Sequence, residues 1–443
     1  MSAQTGVRRN RELALLILAL ILGTGALALV TLARNVDRLP EVVPYMAVLA
    51  GGYIVAHIVA RRSARAADPL FLPVAATLNV LGVAAIYRLS PKELGPLQVT
   101  WTLLGLACFI ATLLLVRDYE VLARYKYILG FVGVGLLLLP MSPIGIVVNG
   151  ARLWVRIGAL QFQPSELAKI CLVIFFAAYL AERKELLSMA TRRIAGLHVP
   201  DIKHFGPLLV MWGLSLAVMF FEKDLGSSLL FFSIFLVMIY VATGRFIYLG
   251  VGGALFAAGA YIGYQMFAHV QDRVTVWLNV FDPKLINDES YQLAQSLFAL
   301  ATGGLFGTGF GQGRPDLIPA ASTDFIFSVL GEELGLLGTS AVLVCFLLVL
   351  ARGFRTSLTA RDDFGQLLAA GLTTIFALQT IIILAGVTRL LPLTGITLPF
   401  MSYGGSSLLS NFILIALLIR QSHQTAAAPD PALTGEILLG GRS

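Results

Sequence analysis

"DFIFSVLGEELGLLGTSAVLVCFLLVLA", residues 324–351, is apolar over almost its whole length, yet it opens on an aspartate and encloses a pair of glutamates, Glu332 and Glu333. Read as one helix it is about 42 Å long, longer than a hydrocarbon core of about 30 Å. An acid in such a run is costly and marks a functional candidate. The stretch therefore predicts a membrane helix whose first residue, Asp324, stands in the interface. Glu332 and Glu333 then lie about 12–14 Å deeper along the axis, where their expected work is structural: pairing a buried cation, or capping a break near Gly331 and Gly335.

Comparable runs occur near 13–33, 42–60, 70–88, 98–116, 124–141, 164–181, 206–222, 225–243, 246–266, 365–387 and 398–420. With 324–351 they make about twelve spans, each near the 20 residues a bilayer requires. The third is the weakest, because Asn79 and Gly82 interrupt it. Composition agrees: 57% of the 443 residues are hydrophobic and 13% charged, against about 25% charged in soluble domains. The runs are continuous and do not alternate, which argues against an outer-membrane barrel. The expected fold class is an all-α polytopic membrane protein. The first run follows Arg8, Arg9 and Arg11 and is longer than the apolar region of a signal peptide, so it reads as a retained span. Cys108, Cys171 and Cys345 lie inside apolar runs and the five histidines are scattered, which argues against a disulfide framework or a zinc site. No Walker or dinucleotide fingerprint is present. The net charge of +7 fits positive-inside topology, not nucleic-acid binding.

Placing the N-terminus in the cytoplasm puts roughly 20 of the 32 Lys and Arg on that side. They include "RRSAR" (61–65), the 182–205 loop, Arg352, Arg355 and Arg361. The C-terminus then returns to the cytoplasm, and its tail from 421 to 443 reads as disordered. The outer face receives two long connections, 141–163 and 268–323. The second contains "YQLAQSLFALATGGLFGTGFGQG" (291–313), read as an amphipathic half-helix followed by a flexible glycine-rich loop near the site. Gln295, Ser296 and Arg314 are candidate substrate contacts there.

Four helix starts share the outer boundary: "QFQPSELAKI" (161–170), "FEKDLGSSLL" (221–230), "STDFIF" (322–327) and "LPFMSYGGSSLL" (398–409). Helix N-termini carry unpaired N–H groups and about half a positive charge, so several converging ones suit a phosphate or pyrophosphate. Lys169, one helical turn after Glu166, and Arg152 add fixed charge. Each element also has a plainer reading. Asp224 and Asp324 serve as first-turn acids worth about 0.3–1 kcal/mol, Glu166 and Lys169 as a helix-end ion pair, and "GGSS" as close helix packing.

At these residues the chain resembles the SEDS family (shape, elongation, division and sporulation; RodA, FtsW and SpoVE). The motifs are "NGARLWVRIGALQFQPSELAKI" (149–170), "EKDLGSS" (222–228), "TDFIFSVLGEELG" (323–335) and "LPLTGITLPFMSYGGSS" (391–407), in the family's order. The resemblance covers about 70–420 and implies a ten-helix core. Residues 1–69 are then a cytoplasmic tip with two added helices, and their start, "RRNRELALL", is similar to actinobacterial members. The resemblance implies a peptidoglycan glycosyltransferase that polymerises lipid II, working with a class B penicillin-binding protein that cross-links the growing glycan strand. It makes Asp324 the essential acid and carries over Glu166, Lys169, Asp224, Arg152, Trp154, Ser402 and Ser406. Lys223 stands where proline is common and Leu153 where many relatives have a second basic residue.

Polymerisation joins a sugar hydroxyl to an anomeric carbon, with undecaprenyl pyrophosphate leaving. The attacking hydroxyl needs a base, assigned to Asp324. The leaving group needs positive charge more than a proton, which suits Lys169 and Arg152. A helix dipole would keep Asp324 ionised and desolvation would raise its pKa; the balance is open at this level. No cofactor is expected with certainty, though Mg²⁺ or Mn²⁺ beside a pyrophosphate is a candidate with no readable ligand set. Two alternatives are a flippase or transporter of the lipid-linked precursor, which needs polar groups at mid-membrane, and a scaffold that recruits a cell-wall synthase.

Overall fold

The structure, a computed structural model, describes residues 2–34, 39–148, 151–158, 160–188, 192–194, 197–199, 206–222 and 224–427. The helices are α1 (Ser2–Arg34), α2 (Leu39–Ser63), α3 (Phe71–Leu89), α4 (Leu94–Leu115), α5 (Glu120–Arg124), α6 (Lys126–Leu138), α7 (Ser165–Ser188), α8 (Gly206–Phe221), α9 (Leu225–Thr243), α10 (Ile247–Met266), α11 (Ala268–Leu278), α12 (Tyr291–Gly303), α13 (Ile326–Leu358), α14 (Asp363–Val387) and α15 (Gly405–Ala427). Among the described residues nine helices are long and apolar enough to cross a membrane. The helices at 126–141 and 206–220 are apolar but shorter, and α7 carries an apolar run, Ile170–Leu180, between charged ends. Each expected run thus falls wholly or in part on a helix, and the chain is a multi-pass membrane protein.

Helix packing explains which faces are covered. The buried core runs through α3, α7, α14 and α15, while α1 exposes Ile21 and Leu22 and α10 exposes Tyr261 and Met266, apolar faces that suit lipid. In lipid, helices associate through close packing and interhelical hydrogen bonds, and α3 uses both. Asn79 accepts a hydrogen bond from the Tyr53 hydroxyl at 2.8 Å, and a Cβ at Gly82 would lie 2.7 Å from the Met401 backbone. The two residues that weakened this span in sequence are its contacts with α2 and with the chain before α15.

Several boundaries differ from expectation. The 324–351 run is not one straight helix. Gly335 has φ +67° inside α13, which leaves a short half-helix from Ile326 and a main segment of about 35 Å beyond it. The glycine run is not a flexible loop. Thr308 and Gly309 donate their amides to the carbonyls of Glu332 and Glu333, and Gly311 and Arg314 donate theirs to the two carboxylates, at 2.9 and 3.0 Å. Arg88 lies 3.5 Å from Glu333. Because these amides are spent on the break, the run is a bracket around it. The last helix opens at Gly405, not 398, because Leu398–Tyr403 forms a buried turn closed by Ser402.

The 141–163 connection folds into an antiparallel sheet of β1 (Gly145–Val148), β2 (Ala151–Ile157) and β3 (Leu160–Phe162), in that order. It stands as a small addition to the all-α membrane part. The 182–205 segment continues α7 to Ser188 and includes a hairpin of β4 (Arg192–Ile194) and β5 (Leu197–Val199). The tail is helical to Ala427. Its remainder, and Lys223, lie outside the described residues.

Candidate functional site

The four helix starts do meet, and the 391–404 segment joins them. The Gln163 amide donates to Ser406 Oγ at 2.7 Å, tying the start of α7 to that of α15. One turn on, Ser410 Oγ donates to Glu166 at 3.0 Å. At the start of α9, a Cβ on Gly226 would lie 2.8 Å from both the Thr394 carbonyl and Ile396. Ahead of α13, Ser402 Oγ donates to the Thr323 carbonyl at 2.6 Å and the Tyr403 amide to that of Ser322 at 2.7 Å. Gly395 closes the ring, with a Cβ position 3.9 Å from Asp324 Oδ2.

Asp324 is not in the first turn of α13. The helix is capped by Phe325, and Asp324 projects from the preceding turn, in which the amides of Thr323 and Phe325 bond to the Ala320 carbonyl. Ala320 has φ +53°, and Arg389 and Phe400 have φ +61° and +64°. Such backbone costs about 1–3 kcal/mol per residue and survives only where its surroundings enforce it. All three residues lie in the segments that build the site. The Asp324 carboxyl is half-buried, and desolvation pushes it up to about 6, opposed by Arg273 and by the Thr323 hydroxyl. Desolvation therefore wins the contest that the sequence leaves open.

Asp224 caps α9, accepting from the Ser227 amide at 2.9 Å. Burial raises its pKa, the Ser227 bond and Arg273 oppose the rise, and Glu166 adds to it. Lys169 is buried and bound to Glu166 at 2.6 Å. Its charge is neutralised within the helix bundle, so it is less available to a pyrophosphate than the sequence suggests. Arg152 is exposed on β2, held by the carbonyls of Ser142 and Gly145 at 2.8 and 3.3 Å. Trp154 shares its strand face and pairs with Ile146. Arg314 is exposed and paired with Asp316 at 3.2 Å. Ser296 Oγ meets Ser328 Oγ at 2.7 Å in the buried contact between α12 and α13, while Gln295 beside it is half-buried. Glu332 and Glu333 hold the break at Gly335, as described above.

Two residues of this site were not singled out in the sequence. Arg273 projects from α11 over the ring, donates to the Leu393 carbonyl at 3.0 Å, and acts electrostatically on both Asp224 and Asp324. Its helix is fastened by a reciprocal pair. Trp277 Nε1 donates to the Arg389 carbonyl at 3.1 Å, and the Arg389 guanidinium donates to the carbonyls of Trp277 and Leu278 at 2.9 and 2.6 Å. Glu222 is buried two residues before Asp224, and burial with that neighbour pushes it up to about 8. The signal for Glu222 was present in "EKDLG", an acid in an apolar setting; the signal for Arg273 is purely spatial. Among the described residues no three His, Cys, Asp or Glu side chains gather as a metal-ligand set. The arrangement offers a desolvated carboxylate able to take a proton near neutrality, a second buried acid, and one guanidinium at the mouth.

Residues 70–427 match the model of the FtsW/RodA/SpoVE family, described as "Cell cycle protein". The chain is 46% identical over 429 residues to the peptidoglycan glycosyltransferase RodA of Mycobacterium tuberculosis, covering 94% of this chain and 91% of that one. It is 35% identical over 312 residues to the stage V sporulation protein E of Bacillus subtilis, covering 70% and 82%. Among solved structures it resembles the rod shape determining protein RodA of Thermus thermophilus, with TM-score 0.57 and 26% identity over 82% of this chain and 99% of that one. It shares its fold, at TM-score 0.65 and 24% identity, with a chain of a peptidoglycan synthase complex, covering 81% and 98%. With motifs, fold and near full-length relatives in agreement, the chain belongs to the FtsW/RodA/SpoVE family.

Proposed function

We propose that this chain is a peptidoglycan glycosyltransferase that polymerises lipid II at the outer face of the cytoplasmic membrane, with Asp324 as general base. The membrane part then makes twelve crossings, with both termini in the cytoplasm. The observation that carries the reading is the ring of helix starts around a half-buried carboxyl pushed up to about 6. A base works best when its pKa lies just below the operating pH, where it is ionised yet still basic.

The acceptor hydroxyl approaches Asp324 and loses its proton to the carboxylate as its oxygen attacks the anomeric carbon. The bond from that carbon to the pyrophosphate oxygen breaks, and both bonding electrons leave with undecaprenyl pyrophosphate. One displacement inverts the carbon, and no covalent sugar intermediate is required. Arg273 lies over the ring where a pyrophosphate would depart, and its fixed charge stabilises the leaving anion. Lys169 acts through Glu166 as a positioning residue, keeping α7 and α15 in register. Ser402 and Ser406 act likewise, through Thr323 and Gln163. Among the described residues no set of side chains gathers to hold Mg²⁺ or Mn²⁺, and no step is routed through one. A class B penicillin-binding protein is the proposed partner, because the polymerising family works beside a cross-linking enzyme and the fold is shared with a chain of a synthase complex.

The test is glycan-strand formation from lipid II by purified protein, with and without the cognate transpeptidase, for wild type and Asp324→Asn. Polymer from the wild type and none from the folded variant is expected. No polymer from the wild type with its partner present overturns the enzyme reading; equal polymer from both proteins overturns the role of Asp324.

A further inference from the structure

At the far end of α13 from Asp324 lies a cavity of about 590 Å³. Arg8 and Arg11 reach it from α1, Arg352 and Arg355 from the last turns of α13, and Arg361 from the turn that follows; Asp68 is its one carboxylate. We propose that this cavity binds the phosphodiester headgroup of an anionic phospholipid.

The charge balance is the first argument. Asp68 lies 3.4 Å from Arg352 and, as the cavity's one carboxylate, leaves Arg8, Arg11 and Arg355 without an acid in the lining. The neighbouring acids are engaged elsewhere: Glu12 with Arg9 and His57, Asp362 with Tyr119 and the Gly365 amide, Asp363 with Lys184. Arg8 donates to the Ala66 carbonyl at 3.0 Å, which orients it without cancelling its charge. Positive-inside topology alone scatters basic residues along the loops; here they converge from two distant segments of chain onto one concavity. Guanidinium groups suit a phosphate because their planar fork donates two hydrogen bonds to its oxygens. Hydroxyls of Thr359 and Ser422 also line the cavity.

Position selects a lipid as the source of that phosphate. The cavity sits where α1 begins and where α13 and α15 end, and the ends of helices that cross a membrane fall near its headgroup layer. Val7 and Leu358, next in sequence to lining residues, are 51% and 80% exposed and give acyl chains an apolar surface. Arg8 and Arg11 precede the 70–427 segment that matches the family model. A headgroup held here bridges the added N-terminal helix and the family core. The inference does not depend on the glycosyltransferase reading, only on the membrane surface.

The experiment uses the full chain in detergent, titrated with dioleoyl-phosphatidylglycerol, dioleoyl-phosphatidylcholine or inorganic phosphate, with binding and thermal shift as readouts. Phosphatidylglycerol is expected to bind at least ten-fold more tightly than phosphatidylcholine. Arg11→Gln with Arg355→Gln, both exposed side chains, is expected to remove that preference. Arg62→Gln with Arg117→Gln, outside the cavity, is expected to keep it. Asp68→Asn is expected to tighten phosphatidylglycerol several-fold, a gain that misfolding cannot imitate. Equal binding of the two lipids, equal loss in both arginine pairs, no gain in Asp68→Asn, or saturation by inorganic phosphate with no advantage for the lipid would each overturn the proposal.

Discussion

Asp324 trades stability for basicity, and the trade can be measured without substrate. Its carboxyl is raised from the ordinary 3.8 to about 6. Below pH 4 it is protonated in both folded and unfolded chains and contributes nothing. Between pH 4 and 6 the folded chain holds the proton that the unfolded chain has lost, so stability falls as pH rises through this window. Above pH 6 the whole cost is present, at most about 3 kcal/mol and nearer 1–2 for a half-buried group. Asp324→Asn, which keeps the shape and removes the charge, is therefore expected to melt higher than wild type at pH 7.5, with the difference closing at pH 4. A difference of equal size at both pH values would show that the gain came from packing. Catalysis should follow the same group: kcat/KM rises with pH along a limb centred near 6 and levels above it. Arg273 holds that limb down. Arg273→Gln is expected to move it toward higher pH and to lower kcat/KM by about 10–100-fold through the lost charge beside the leaving group. A variant with the wild-type limb and only a raised KM would reduce Arg273 to a binding residue.

The turn that carries Asp324 runs directly into the half-helix before Gly335, and the bracket around that half-helix decides whether the site stands. Gly335 has φ +67°, and a Cβ there would meet the Gly307 amide nitrogen at 2.3 Å. Gly335→Ala thus combines left-handed strain with a backbone clash, at a cost of about 2–3 kcal/mol or more. Gly135→Ala in α6, where a Cβ would meet nothing within 4 Å, is expected to be neutral or slightly stabilising. Thermal melts of the two variants in one detergent check this, and a harmless Gly335→Ala would refute the bracket. This element also marks how far the sequence was legible. Long apolar runs reveal spans because length alone satisfies the bilayer, and the glutamate pair beside Gly331 and Gly335 signalled the break. What could not be read is polar work done between elements. The apolar "LPFMSY" looks helical and is a turn only because Ser402 Oγ accepts from the Leu398 amide while donating to the Thr323 carbonyl. Arg273 looks like any basic residue on an amphipathic helix until Trp277 and Arg389 dock α11 over Asp324. Lys169 looked available to an anion, and only the packing of α7 against α14 and α15 shows it enclosed.

Across the whole molecule, the added helices are joined to the core by a buried polar knot. Arg9 donates to Glu12 at 2.5 Å and to the Ala67 carbonyl, while Glu12 meets His57 Nδ1 at 2.7 Å. Arg9, Glu12 and His57 are all buried. The knot thereby spans α1, α2 and the chain entering α3, and α1 lies so close to α3 that a Cβ on Gly23 would overlap Val80. A buried pair often contributes little net stability, yet breaking one partner leaves an uncompensated charge costing about 3–5 kcal/mol. Glu12→Ala is accordingly expected to lower the melting point sharply, and Arg9→Met combined with Glu12→Leu to lower it less than Glu12→Ala alone. That ordering separates the cost of an orphaned guanidinium from the loss of packing, which the double variant largely restores. Losses that simply add would mean that solvent or lipid phosphate already reaches Arg9, and that the knot is only a hydrated contact. Because the knot lies far from Asp324, polymer formed per folded molecule should be unchanged in the double variant. A loss of polymer at normal stability would instead assign the added helices a part in the reaction.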